Sequence, residues 1–251
     1  MKSILIAFQF LTRLPIQIKE FTPTDLGKSM AWFPLVGLFI GLMLVLMLFV
    51  TRLLGLTPEI TAGLLVLTLI ILTGALHLDG ISDTADGFYA GKTKEDILRI
   101  MDDSHTGAMG VIAIVTILLL KYAVIISVVN PLKVGIIPIL PLMIVPMLSR
   151  WGMVAASAIL PPARTEGLGQ SFLSSIHSKQ WIIATLITFG VAIGFLHLNG
   201  FIICMAGLGL VVISSFYIKQ KIGGLTGDTL GVINEIVEVG GFFSVYLLYR
   251  I

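Results

Sequence analysis

The chain reads as all-α, a polytopic integral membrane bundle of about six to seven transmembrane helices. Three observations predict this. Hydrophobic residues fill 57% of the 251 positions and charged residues only 12%, about half the charge of a soluble domain. The mean hydropathy is +1.04. Several apolar runs also approach the ~20 residues that an α-helix needs to cross the hydrocarbon core.

Taken in order, the N-terminal MKSILIAFQFLTRLP has an apolar stretch too short to span and no small-residue cleavage site. It predicts an interfacial or half-buried helix ending near Pro15, and no signal peptide. Spans are predicted over 31–54, 59–76, 107–129, 134–160 (interrupted by Pro138, Pro141 and Pro146), 181–198, 200–218 and 236–251. The last is short and partly polar. Polar stretches fill 77–106, 161–180 and 219–235. None is long enough for a soluble domain, so 1–251 is assigned as one membrane catalytic domain. The pairs Gly37/Gly41 and Gly190/Gly194 fit close helix packing in lipid.

The basic residues orient the bundle. With the N-terminus inside, Lys2, Arg13, Lys19, Lys28, Lys92, Lys94, Arg99, Arg150, Arg164, Lys179, Lys219 and Lys221 face the cytoplasm. Arg52, Lys133 and Arg250 face outward. That 12-to-3 split satisfies the positive-inside rule. Of the 14 acids only Glu59 falls outside, so the polar chemistry is expected at the cytoplasmic face. Arg150 is read as a boundary marker. Lys121, deep in an apolar run, is expected to snorkel outward. The scattered basic residues give no nucleic-acid patch. Cys204 stands alone in an apolar segment, which excludes an internal disulfide.

The chemistry concentrates in TGALHLDGISDTADG at 73–87. On a helix, Asp79, Asp83 and Asp86 fall within roughly 60° of one another. Like charges so placed repel, more strongly near a membrane boundary. A hard divalent cation such as Mg²⁺ removes the penalty, because carboxylate oxygens are its preferred ligands. Asp103, in DDSHTG, is positioned to add a fourth carboxylate; adjacent Asp102 is expected to be solvated. His105 is a candidate phosphate contact. His77 lies away from the stripe and reads as a packing residue or a support to the site; His177 and His197 read as structural. Unpaired cysteine and histidines without ligand spacing argue against zinc.

The stretch KQKIGGLTGDTLGVINE at 219–235 places Lys219 and Lys221 before Gly223, Gly224, Thr226 and Gly227. Glycines let backbone amides converge on an anion, and a following helix start adds its dipole. A plain glycine-rich connector is the competing reading. Asp228 and Glu235 are candidates to complete or support a metal site. In PPARTEGLGQS, Arg164 offers a planar fork suited to phosphate, with Gly167 and Gly169 beside it.

These blocks together resemble the adenosylcobinamide-GDP ribazoletransferase family, also called cobalamin synthases. The matching stretches are TRLP at 12–15, FPLVG at 33–37, GALHLDGISDTADG at 74–87, DSHTGAMG at 103–110, ARTEGLG at 163–169 and GGLTGDTLG at 223–231. The chain departs from the family pattern at Asp102 and His105. The resemblance implies a phosphotransferase for substituted phosphate groups in the bacterial inner membrane, with its site on the cytoplasmic side. Its substrates would be adenosylcobinamide-GDP and α-ribazole or α-ribazole 5′-phosphate, and GMP would leave. Magnesium held by the aspartates is the implied cofactor. A homo-oligomer, or association with other enzymes of cobalamin assembly, is left open. A CDP-alcohol phosphotransferase is a rival, but Asp79-Gly80 is followed by Ile81-Ser82 and not toward an Ala-Arg step. An ion-coupled transporter would favour repeated halves and acids at mid-membrane.

Overall fold

The computed structural model describes residues 1–129, 139–164 and 168–249; Lys133, Pro138, Gly167 and Arg250 lie outside them. Among the described residues the chain is helical, with one isolated bridge between Pro162 and Leu225 and no strand. Helix α1 (Lys2–Leu11) is the short N-terminal helix expected before Pro15. Helix α2 (Pro23–Ser29) starts with a capping box of Thr22 and Asp25 and leads through a 3-10 turn into α3 (Phe33–Leu53). Then come α4 (Pro58–Thr73), α5 (Leu76–Ala90), α6 (Lys94–Met101) and α7 (Ala108–Val129). The rest is α8 (Ile139–Ile159), α9 (Leu168–Ser174), α10 (Ser178–Ile222) and α11 (Gly227–Leu248).

Among the described residues five helices are long and apolar enough to cross a membrane, and the bent pair α4–α5 supplies a sixth crossing if taken together. The protein is therefore a multi-pass membrane protein. At 45 residues, α10 would be about twice the bilayer core if straight. It is not straight: His197 has φ 50° and ψ −126°. A Cβ built on Gly200 would strike the Ala192 carbonyl and approach the Ile193 nitrogen to 3.0 Å. Residues eight apart cannot meet on one helix, so the chain reverses here. The two arms correspond to the separate spans expected over 181–198 and 200–218.

Helix α8 is the core of the bundle. Every residue of 141–157 except the half-buried Met143 is buried, packed by α3, α10 and α11, as expected of a helix apolar on every face. Gly37 and Gly41 let α3 approach closely: Cβ atoms there would overlap the α8 backbone at Pro146 and Met143. The other expected pair fails. Nothing lies within 4 Å of a Cβ at Gly190 or Gly194, because that face of α10 turns away from the bundle.

Two expected charge placements are corrected. Arg150 is no boundary marker; it is 1% exposed within α8 and pairs with Glu238. Lys121 does not snorkel. Its Nζ is buried and donates to Glu235 at 2.6 Å and Glu238 at 2.8 Å. Two acids and two bases thus neutralise one another inside the bundle, which offsets their desolvation. Helix α11 begins at Gly227, so both glutamates sit well inside it, and the helix takes in the end of the polar stretch expected over 219–235.

Candidate active site

The site is built where several helices end together. After α4, Gly74 (φ 63°) and Ala75 (φ 60°) both take left-handed backbone, and the chain turns by 88° into α5. Glycine adopts this conformation without steric cost; Ala75 does so at a cost of about 1 kcal/mol. Arg13 holds the corner. Its N–H donates to Leu72 O at 2.8 Å, and its side chain fills the space beside Gly74 that a Cβ would need.

From that corner α5 crosses the first turns of α11 at backbone contact. A Cβ on Gly80 would come within 2.6 Å of the Asp228 carbonyl, and one on Gly231 within 3.2 Å of the His77 Cα. The glycines inside LHLDGISD and GDTLG therefore set the helix separation. This crossing brings Asp79 and Asp83 to the same cavity as Asp228, which the sequence separates by some 150 positions. The cavity is about 430 Å³, and Asp102, Asp103, Arg164, Thr226 and Gly227 also line it.

Arg164 is fixed at the rim by an ion pair with Asp102 and by donation to Leu98 O at 3.2 Å. Asp102 is solvated as expected, its side chain 62% exposed, and it is also the partner that aims the guanidinium. Asp103 accepts from the His105 ring Nδ1 at 2.6 Å and from its backbone N–H at 3.0 Å. The imidazole beside it holds this exposed carboxyl below the usual carboxylate range. His105 is exposed and tied to Asp103, and it does not line the cavity.

Asp86 departs from the expected carboxylate stripe. Its two oxygens accept the Gly107 N–H at 2.7 Å and the Gly110 N–H at 2.9 Å. It serves the unpaired amides at the start of α7 as a carboxylate cap does. A side chain at Gly110 would collide with this carboxylate and with Ser82. The structure does not bring Glu235 to the aspartates either, because it is committed to Lys121 in the interior.

The glycine loop is also built differently from the expected anion cradle. Leu225 N–H donates to Pro161 O at 2.9 Å and Ala163 N–H to Leu225 O at 2.8 Å, clasping the loop to the segment before Arg164. Gly223, with φ 77°, ends α10, and a Cβ on Gly224 would lie 2.5 Å from Pro161 O. Neither lines the cavity. Lys221 turns away and donates to Phe88 O at 3.3 Å. Thr226 caps α11 by accepting the Thr229 N–H at 3.2 Å. Gly224→Val is accordingly expected to lower stability by about 1–3 kcal/mol through overpacking, read as a lower unfolding midpoint in detergent. An unchanged midpoint with a weakened substrate KM would restore the cradle.

Asn234 was not anticipated. Buried on α11, its Nδ2 donates to the His77 ring at 2.9 Å and lies 3.3 Å from Glu235 Oε1. It links the α5–α11 crossing to the interior ion cluster. Its only signal in the sequence was a polar residue beside Glu235.

The family description "Cobalamin-5-phosphate synthase" matches residues 3–246. Proteins named adenosylcobinamide-GDP ribazoletransferase resemble the chain along its length. That of Fusobacterium nucleatum is 32% identical, covering 94% of each chain. The Acetivibrio thermocellus protein is 34% identical over 98% of each, and the Desulforamulus reducens protein is 36% identical over 98% of this chain and 96% of its own. No solved structure matches. With nearly the whole length matched and the motif residues gathered at one end of the bundle, the chain belongs to the cobalamin-5-phosphate synthase family.

Proposed function

We propose that the protein joins adenosylcobinamide-GDP to α-ribazole, or to its 5′-phosphate, with release of GMP at the cytoplasmic face of the bacterial inner membrane. The observation that carries this reading is the single cavity in which Asp79, Asp83, Asp103 and Asp228 face Arg164. A pyrophosphate ester could not sit among four carboxylates without a cation between them. The donors fit magnesium, being hard oxygens throughout. Among the described residues no three acids, histidines or cysteines form a ready ligand cluster. That suits an ion that keeps several waters and takes one or two carboxylates plus substrate phosphate oxygens. One or two of Asp79, Asp83 and Asp228 would hold it, with Asp103 at the edge. When bound, magnesium supplies charge neutralisation at the phosphate oxygens and at the departing GMP.

The chain's own groups provide the rest. Arg164, aimed by Asp102, presents its fork to a phosphate oxygen. The α5–α11 crossing holds the acceptor hydroxyl and the phosphorus in line, and such positioning dominates phosphoryl transfer. The hydroxyl oxygen bonds to the phosphorus on the cobinamide arm as the bond to GMP breaks. A cavity carboxylate accepts the hydroxyl proton. The 12-to-3 basic asymmetry supports the cytoplasmic placement.

The test is product analysis with protein in liposomes, Mg²⁺, adenosylcobinamide-GDP and α-ribazole. GMP and the joined corrinoid should form in equal amounts, only with both substrates, and stop on chelation. GMP release without the nucleoside would overturn the reading.

A further inference from the structure

A second cavity of about 540 Å³ lies at the corner between α4 and α5, and the exposed Asp79 lines both it and the carboxylate cavity. Arg13 lines it too. This arginine comes from the TRLP stretch and takes no part in the first cavity. Its backbone N–H is tied to Leu72 O and its side-chain stem lies across Gly74, which fixes where the side chain leaves the corner. Among the described residues no carboxylate forms an ion pair with its guanidinium.

Apart from Asp79, the polar groups left uncommitted here are donors. Thr12 and Thr73 already give their hydroxyl protons to Phe8 O at 2.6 Å and to Leu69 O at 2.8 Å. Gln9 Oε1 accepts the Ile18 N–H at 2.7 Å, which leaves the amide NH₂ to donate. An amide NH₂ and the Arg13 fork together suit an anion. Asp79 is the one acid among the described residues that line this cavity, whereas five aspartates line the first. A phosphate monoester carries about 1.5 to 2 negative charges, so it meets less repulsion beside Arg13 than among the carboxylates.

We propose that this cavity is the subsite for the 5′-phosphate of the acceptor, with the Arg13 guanidinium as its main contact and Gln9 as a second donor. This rests on the ribazole-transfer reading and deepens it. One ribose separates the reacting hydroxyl from the 5′-phosphate, and one side chain, Asp79, stands between the two cavities. The ribose would pass over Asp79, with its hydroxyl in the carboxylate cavity and its phosphate against Arg13. Two arginines then divide the phosphates: Arg164 reads the activated diphosphate and Arg13 reads the acceptor. Because Arg13 is exposed, water replaces the phosphate when the acceptor lacks one, so α-ribazole remains a substrate but a poorer one.

The test is steady-state GMP release in liposomes with two acceptors, α-ribazole 5′-phosphate and α-ribazole. The wild type should prefer the phosphorylated acceptor in kcat/KM by about tenfold or more, the worth of one hydrogen bond to a charged group. Arg13→Met keeps a stem over Gly74 and removes the fork, and it should erase most of that preference. Arg13→Lys keeps a point charge without the fork and should restore part of it. Should Arg13→Met fail to fold, Arg13→Lys decides by the same ratio, which must fall below that of the wild type. A purely structural role at the α4–α5 corner would lower both acceptors together, so an unchanged ratio would overturn the subsite. A raised KM for adenosylcobinamide-GDP with the ratio intact would give Arg13 to the diphosphate and overturn it as well. So would a ratio change seen in liposomes and absent in a phosphate-free maltoside detergent, which would give Arg13 to a lipid headgroup. Absence of GMP release with either acceptor in the wild type would instead overturn the proposed reaction, so the two failures are distinct.

Discussion

Asp83→Asn is expected to reduce turnover by about 10²–10³-fold, the loss seen when one preorganised electrostatic group is removed from a transition-state site. The protein should still insert and unfold near the wild-type midpoint. Asn keeps the shape of the half-buried side chain and removes only the charge that lines the cavity with Asp79 and Asp228. If the aspartates were only a solvated helix end, the same change would relieve repulsion worth a few tenths of a kcal/mol and leave activity intact. GMP release in liposomes separates the two.

Asp86→Asn provides an internal contrast. Asp86 gives both oxygens to the Gly107 and Gly110 amides, and an amide side chain has one oxygen and turns an NH₂ toward the other N–H. Its first effect should be a stability loss of about 1 kcal/mol. A titration of activity against Mg²⁺ should shift to higher concentration in Asp228→Asn. An Asp83→Asn protein with near-normal turnover at low Mg²⁺ would sink the assignment.

The contrast between Asp83 and Asp86 marks what could be read in advance. The helical stripe was legible because residues at i, i+4 and i+7 share a face by geometry alone, and α5 is a helix over all three. That Asp86 leaves the stripe to cap α7 depends on where another helix begins in space. Spacing along one helix holds no such information. The span boundaries were legible to within a few residues where the runs were purely apolar. They failed at α11, where the span predicted from 236 starts well after the helix does at Gly227, because Asp228 and Glu235 lower the local hydropathy. Lys121 and Arg150, which neutralise Glu235 and Glu238, are more than 80 positions away, so each charge had to be interpreted alone. Gly80 and Gly231 were noted only as parts of motifs, although they set the crossing on which the site rests. Small residues reveal a close approach only once the facing helix is known, which is why Gly190 and Gly194 misled.

The interior ion cluster carries the second large effect. Glu238 has no solvent exposure and accepts from Lys121, from Arg150 and from Ser149 Oγ at 3.2 Å. Glu238→Leu is expected to destabilise the protein by about 3–5 kcal/mol, the cost of breaking a buried ion pair by removing one partner. Arg150, 1% exposed within α8, would then have no carboxylate, whereas Lys121 would retain Glu235. Glu235→Gln should cost less, since Glu238 still faces both cations. The deciding comparison is charge parity. Glu238→Leu combined with Arg150→Met removes one acid and one base and leaves Lys121 paired with Glu235. Apolar replacements for a buried pair are often neutral or stabilising, so the double variant should recover most of the loss. Unfolding midpoints in detergent for the wild type, Glu238→Leu, Arg150→Met and the double variant close the cycle that gives the coupling energy. If Glu238→Leu alone melts like the wild type, the cluster is solvated in the membrane protein and its charges do not hold α7, α8 and α11 together. If the double variant is no better than the single, the loss belongs to packing around Glu238 and not to an unpaired guanidinium.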